Sequence, residues 1–357
     1  MKILLTQREL VAPGGSEFVA AELAIALVAR GHELVVYSLR TGKFAETLLS
    51  NGVPVITKLA QVPWQPDLIH GQHHLPTMAA LARFDKQPAV YHCHGALPWV
   101  ERPPLHSAIR RYIMMSERLK CRMAAELKLE EERLTVLPNF VNTKRFSEVR
   151  QAPKQLKKAA LFGGKRCSIK ELLNLHAACK ACGLSLDKLG PAYRNPVTQP
   201  EVVLQKYDLV FAIGKCALES LASGCAVITL TPELVGELVT SDNFDSLAFS
   251  NFCPRRFESS AQINKKWLQK ELARYSASDA AQVTHLVRTT RNLEVSVEKI
   301  CALHQTVLEE GPLYQDAPFA PYLESLAYDI DALWAKAESL NDPLWVNICR
   351  HLLGRRK

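Results

Sequence analysis

The chain predicts an α/β fold built as two successive halves, each a mostly parallel sheet flanked by helices. Three observations carry this expectation. Short apolar runs of strand length alternate with helix-length amphipathic stretches from the first residues onward. The alternation halts at a polar, basic stretch, SEVRQAPKQLKKAA, and restarts after it, as it would across a linker. Residues 208–230, DLVFAIGKCALESLASGCAVITL, then spell strand, glycine turn, helix and strand in immediate succession, with Gly224 closing the helix.

Length and composition bound the answer. At 357 residues the chain exceeds what one ordinary core encloses, so two domains are expected, 1–150 and 151–310, followed by a helical tail over 311–357. Hydrophobic residues at 48% and charged ones at 22% exclude a disordered or fibrous chain. No run reaches the ~18 apolar residues a spanning helix needs, and MKILLTQREL is too short and polar for a signal peptide, so a cytoplasmic protein is expected. The ten cysteines are scattered, and the single C-x-x-C of Cys179 and Cys182 lies in a helical pattern without a second half-site. A net charge of +8 favours an anionic ligand or membrane surface. Its basic residues are interspersed with acidic ones and form no aromatic-basic motif, which argues against nucleic acid.

The first half reads element by element. Residues 2–6 make the opening strand, and Gly14-Gly15-Ser16-Glu17 leads into FVAAELAIALVARGHEL, where Phe18, Leu23, Leu27 and Val28 mark the buried side of a helix ending at Gly31. Residues 34–38 return as a strand. This unit places Gly14 and Gly15 at the carboxyl end of the first strand, where backbone lacking a Cβ can approach a ligand. It is not a G-x-G-x-x-G fingerprint, so no nicotinamide or flavin cofactor is expected. Further strands are expected at 53–56, 68–70 and 89–93. The last runs into YHCHG, placing His94 at the carboxyl edge of the sheet beside Gly95, with His92 on the same face. His94 is therefore a candidate functional residue, against the alternative of a hydrogen-bonded structural histidine. His70, His73 and His74 have no Cys, Asp or Glu at ligand spacing, and no metal is expected.

In the second half, residues 134–138 form a strand and PNFVNTKRF turns the chain out of the first sheet. After the linker come a strand at 159–162, a Gly163-Gly164 turn and a helix over ELLNLHAACKACG. Lys165, Arg166 and Lys170 at the start of that helix oppose its dipole unless an anion sits there; a solvated basic turn is the alternative. Gly214 and Lys215 begin the helix of the 208–230 stretch, whose terminal N–H groups suit a phosphate. Glu219, about one turn further, can accept hydrogen bonds from sugar hydroxyls, as acidic residues do toward ribose in dinucleotide folds. An ordinary strand–helix–strand unit with a solvated Glu is the competing reading.

Together these motifs resemble a nucleotide-sugar glycosyltransferase of the GT-B fold, specifically glycosyltransferase family 4, over residues 1–310. GGSE and RGHEL resemble that family's first unit, whose glycine loop faces the cleft. VYHCHG resembles its strand ending in a histidine that reaches the donor sugar, a role the resemblance assigns to His94. VLPNFVNTKRF resembles the interdomain segment, with Phe140 and Asn142 departing from the usual PNGVD. FGGKRCSIKEL resembles the phosphate-grasping segment, with Lys165 for the usual Arg, Lys170 for the Lys and Glu171 for a glycine. KCALESLASGCAVI resembles the donor-nucleotide segment, where Glu219 matches the second Glu of an E-x7-E pair and binds ribose hydroxyls. The first Glu of that pair falls at Phe211.

The resemblance implies two Rossmann-like domains with a cleft between them, and transfer of a sugar from a nucleotide-diphosphate donor to an acceptor hydroxyl with retention of configuration. Lys165, Lys170, Gly214 and Lys215 then hold the diphosphate, Gly14 and Gly15 line the donor site, and His94 and Lys170 act in catalysis. The second half is abbreviated between Leu186 and Asp208. The expected partners are a nucleotide-diphosphate sugar and a glycan or glycolipid acceptor, in cell-envelope or lipopolysaccharide synthesis. The tail has helical spacing at Leu323, Leu326, Ile330, Leu333 and Trp334 and ends in HLLGRRK. It is expected to pack on the first domain, or to touch anionic lipid at the inner face of the membrane. Two alternatives remain: a degenerate transferase-like scaffold, and a nucleotide-sugar epimerase.

Overall fold

The computed structural model describes residues 1–12, 14–95, 99–163, 167–231, 234–254, 262–311, 319, 322–324 and 326–328. Among these the strands form two sheets. The first contains β1 (Lys2–Leu10), β2 (Glu33–Thr41), β3 (Val55–Ile56), β4 (Leu68–Gln72), β5 (Ala89–Cys93), β6 (Ile109–Met114) and β7 (Leu134–Val136), in the order β3-β2-β1-β4-β5-β6-β7 with every pair parallel. Its connections carry α1 (Gly15–Ala29), α2 (Ala45–Leu49), α3 (His74–Arg83) and α4 (Glu117–Leu127). A parallel sheet has helices on its faces, which is why β4 and β5 are buried along their whole length and read as continuous runs rather than alternating ones.

The second sheet runs β12-β11-β10-β8-β9, from β8 (Lys158–Phe162), β9 (Ser185–Leu189), β10 (Leu209–Ala212), β11 (Ala226–Leu230) and β12 (Val235–Leu238). Only the edge strand β12 is antiparallel. Its helices are α5 (Ile169–Ala181), α6 (Pro200–Val203), α7 (Gly214–Ala222), α8 (Phe244–Ala248), α9 (Lys265–Leu272) and α10 (Ala277–Thr290); α11 (Leu293–Glu309) follows. Local chemistry sets the helix starts. Ser168 and Glu171 form a reciprocal cap on α5, and Asn264, Ser276 and Asn292 cap α9, α10 and α11 through their side-chain oxygens. α10 and α11 are separated at Arg291 and Asn292, where this cap starts α11.

The first sheet contains one strand that apolar runs did not reveal. β6, IRRYIM, carries Arg110 and Arg111 in its middle; both guanidiniums reach Glu310 beyond α11, so the charge is matched by chain from the far end of the fold. α11 itself packs into the first lobe. Leu293, Val297, Ile300 and Val307 share a hydrophobic core with Leu5, Leu23, Leu27, Val36 and Val90, although they follow the second sheet in sequence. Each fully buried aliphatic side chain of this kind stabilises the fold by ~1.5–3 kcal/mol.

Two chain crossings join the lobes side by side. Val141 N–H donates to Arg291 O at 2.8 Å and Leu293 N–H to Val141 O at 2.9 Å. Asp208 anchors the linker, its carboxylate taking the Arg150 guanidinium at 2.6 Å and the Lys157 and Lys158 amides at 2.8 Å. Gly224 has φ +86° and lies so close to the linker that a Cβ would stand 2.3 Å from Arg150 O, so this helix end requires glycine. Both sheets belong to one compact unit, Met1–Leu313; Tyr314–Lys357 forms a second, in which residues 322–324 and 326–328 are helical and Ile330, Leu333 and Trp334 lie outside the described residues.

Candidate active site

Between the lobes, α1 faces the first turns of α7, and the contact is ionic. Lys215 Nζ lies 2.9 Å from Glu22 Oε2, 3.1 Å from Phe140 O and 3.7 Å from Glu219 Oε1. Arg145 Nη2 stands 3.2 Å from both Glu22 Oε1 and Glu219 Oε1, and its Nε 3.8 Å from Glu201 Oε2. Its guanidinium also stacks between the rings of Phe18 and Phe146, at 5.0 and 4.8 Å. Three carboxylates thus face two cations in a nearly dry crevice. Burial holds the Glu219 carboxyl above the ordinary range, against the downward pull of Lys215 and Arg145. Among the described residues no hydrogen bond reaches Glu219 Oε2.

The hinge sequence explains the geometry. Asn142 Oδ1 accepts from the amides of Lys144 and Arg145, at 3.2 and 3.1 Å, so an Asn makes the turn that directs Arg145 into the crevice. Phe140 is buried in the first core, offers its carbonyl to Lys215 and places its ring 5.2 Å from the Lys215 ammonium. Both departures from the usual interdomain pattern therefore build this cluster.

On the first-lobe side, the face of the sheet beneath α1 ends in a polar row. His94 Nε2–H donates to Gln72 Oε1 at 2.8 Å, and its ring stacks on His92 at 4.6 Å. Behind them His70 Nδ1 and His304 Nε2 share a hydrogen bond of 2.9 Å, and His73 Nδ1 accepts from the Arg8 amide at 3.2 Å. Burial keeps all five imidazoles neutral: His73 and His92 are pushed down to about 4, His304 to about 3, and His70 and His94 well below the usual value. His74 points elsewhere, to Arg102 O. Among the described residues no group of His, Cys, Asp or Glu is arranged to hold a metal ion.

Residues 13–145 match the model of Glycosyltransferase Family 4. Solved structures share the architecture over nearly their whole length. A glycosyltransferase from Rickettsia africae superposes with a TM-score of 0.63 at 13% identity, covering 87% of this chain and 99% of its own. Anabaena HepE in complex with UDP-glucose gives 0.61 at 13% identity, covering 86% and 100%. Sucrose-phosphate synthase from Thermosynechococcus elongatus gives 0.58 at 14%, covering 87% and 99%. No curated protein matches the chain by sequence. The chain has the GT-B fold of these solved structures, and its first lobe matches the family 4 model.

Against what the family resemblance implied, the chain shows several differences. Glu219 sits in the crevice, but Arg145 and Lys215 already occupy Oε1. The Lys215 side chain turns to Glu22 rather than to the helix end. The Gly214 amide, expected to be open for phosphate, donates to Asn251 O at 3.1 Å, because Asn251 and Phe252, both at φ +55°, fold the chain over that terminus. Phe211 is no cleft residue: it lies wholly buried in β10 with its ring 6.2 Å from Trp267. A single residue, Ile213, separates β10 from α7.

Lys170 is exposed in the first turn of α5 without a partner among the described residues, while Gly164, Lys165 and Arg166 lie outside them. Gly15 has open space where a side chain would stand. A Cβ on Gly14, by contrast, would lie 2.3 Å from Glu17 Oε2, so its bareness makes room for a carboxylate. Sequence reasoning passed over Glu17, Glu22, Gln72 and Arg145. The signal for Glu22 was present as a lone charge in the apolar run AAELAIAL; the others carry none apart from the fold.

Proposed function

We propose that this chain is a glycosyltransferase that moves a sugar from a nucleotide-diphosphate donor to an acceptor hydroxyl with retention of configuration, in the synthesis of a cell-envelope glycan or glycolipid. The observation that carries the reading is the crevice between α1 of the family 4 domain and α7, where Glu219 keeps one oxygen free for a pentose hydroxyl. Departure of the nucleotide builds negative charge on the diphosphate, and Lys165 and Lys170 are the groups assigned to stabilise it. His94, neutral and held by Gln72, is a hydrogen-bonding group toward the donor sugar rather than an acid.

Two neighbours favour this placement. Anabaena HepE is seen with UDP-glucose, and WaaG, which gives a TM-score of 0.55 at 15% identity, is a glycosyltransferase involved in lipopolysaccharide biosynthesis. The chain has no described helix long and apolar enough to cross a membrane, so a lipid-linked acceptor would be met at the surface.

A thermal-shift screen of wild type and Glu219→Gln against UDP, GDP, ADP and their sugars tests the reading and identifies the base. The expected result is a rise in Tm with one nucleotide family that is reduced in Glu219→Gln. Absence of any shift, repeated by calorimetry, would instead favour the degenerate scaffold, which Phe211 and the abbreviated second half motivate. Turnover of a sugar nucleotide into its epimer without acceptor would favour the epimerase.

A further inference from the structure

The outer edge of the second sheet borders a cavity that the donor chemistry does not use. β12 is the last strand on that side, and an unpaired strand edge leaves backbone groups open. α9 closes this edge with side chains rather than with a further strand: the Trp267 indole N–H donates to Gly236 O at 3.1 Å, and Glu271 Oε2 accepts from the Leu238 amide at 2.9 Å. A cavity of about 560 Å³ remains between β12, α8 and α9, within the ~300–1,000 Å³ of ordinary small-molecule sites. None of its described lining residues belongs to the interlobe ionic cluster.

α9 turns one stripe toward this space: Lys266, Trp267, Lys270, Glu271 and Arg274. Trp267 and Glu271 are buried, while the three cations are exposed at the rim. Arg274 is already engaged, 2.8 Å from Glu237 Oε2 and 3.0 Å from Glu271 Oε2. Lys266 and Lys270 are not: neither has a carboxylate partner among the described residues. Four residues apart on a helix, their side chains leave on the same side with Cβ atoms ~5–6 Å apart, and like charges at that spacing disfavour the helix unless an anion lies between them. Three cations against two carboxylates, Glu237 and Glu271, leave the wall with a net charge of +1 that rests on the lysine pair. Val235, Leu247 and the indole make the wall apolar beneath them. A bare anion uses the rim and leaves that apolar part empty; a neutral sugar leaves the lysines unanswered.

We propose that this cavity is a binding site for a small organic phosphate, a phosphomonoester of sugar size, separate from the interlobe crevice. Its phosphoryl group, close to doubly charged at neutral pH, lies between Lys266 and Lys270, and its carbon skeleton lies against Trp267 and Leu247. A carboxylate brings a single charge and matches the two ammonium groups less well. The site stands apart from the transferase reading, since none of its groups meets the donor.

Calorimetry on the full chain tests this with glucose 6-phosphate and ribose 5-phosphate as probes, and with glucose, ribose and inorganic phosphate as controls. At least one sugar phosphate is expected to bind at millimolar concentration or below, with the free sugars silent and inorganic phosphate at least tenfold weaker. Lys266→Gln combined with Lys270→Gln is expected to weaken that binding at least tenfold at an unchanged Tm, since both side chains are exposed. Lys266→Arg combined with Lys270→Arg keeps the charge and should stay within threefold of wild type. Glu219→Gln should leave the Kd within twofold, which separates this cavity from the crevice. Absence of binding by both probes, free sugars that bind as tightly as their phosphates, or binding insensitive to the double Gln variant would each overturn the assignment. So would inorganic phosphate that matches the esters, which would mark an adventitious ion only, and a loss in Glu219→Gln, which would put the probe in the crevice.

Discussion

The first sheet and the interlobe crevice both bury polar groups, but in opposite electrical states. Along the sheet, five histidines and two glutamines are packed without a net charge, and several of their nitrogens lack partners: His70 Nε2, His92 Nδ1 and His304 Nδ1. In the crevice, Glu22, Glu201 and Glu219 meet Lys215 and Arg145 as ions. The first arrangement depends on the absence of protons, the second on the presence of partners. Acid therefore acts on them with opposite sign. A histidine whose folded pKa is depressed contributes stability that is complete above about 6.5 and is lost as pH falls toward the folded value. Glu219, whose folded pKa is raised, carries a penalty near neutrality that acid relieves.

The largest expected effect follows from the histidines. Between pH 7.5 and 5 each of His73, His92 and His304 should withdraw about 2 kcal/mol of unfolding free energy, since their folded values lie near 4, 4 and 3 and the window starts at about 6.5. Urea midpoints measured at the two pH values report it, and a midpoint that holds steady or rises on acidification would mean the crevice outweighs the sheet. Next in size is Lys215→Met, which leaves two buried carboxylates, Glu22 and Glu219, to Arg145 alone and should cost about 3 kcal/mol; Lys215→Met combined with Glu22→Leu should recover part of that loss, because the pair is removed together. If the double variant is no better than the single one, the cluster is not a unit.

Lys170 belongs to neither network and marks the contrast between stability and turnover. Lys170→Ala should leave Tm within a degree or two and lower kcat by ~10²–10³, the usual consequence of removing one preorganised charge-stabilising group. An unchanged rate would take Lys170 out of the mechanism. The smallest effect belongs to Ser168→Ala, which removes the α5 cap at about 1 kcal/mol, read as a lower urea midpoint at pH 7.5.

The motifs that were legible in sequence are those in which neighbouring residues interact. The strand–turn–helix–strand run around Glu219 showed itself because apolar runs, Gly214 and Gly224 lie close together, and the α5 start showed its position through local spacing. β6 was hidden because Arg110 and Arg111 break the apolar run, and their partner Glu310 lies at the other end of the unit. That Phe211, where the first Glu of the pair would fall, is wholly buried in β10 was likewise not legible, because its neighbour Trp267 is remote in sequence. Glu17 shows the same limit, since its neighbour Gln7 on β1 is ten residues away in sequence.

The sequence by itself determined two α/β halves, the linker between them, the glycine-bounded helix bearing Glu219 and the strand end bearing His94, because each depends on the periodicity and turn chemistry of a continuous segment. Only the tertiary structure decided what those side chains meet. Whether Glu219 is a free carboxylate or a paired one depends on Glu22 and Arg145, and whether His94 is charged depends on burial beside His92 and Gln72. These are energies of distance and desolvation, which exist only once remote segments have been brought together and water has been removed from between them.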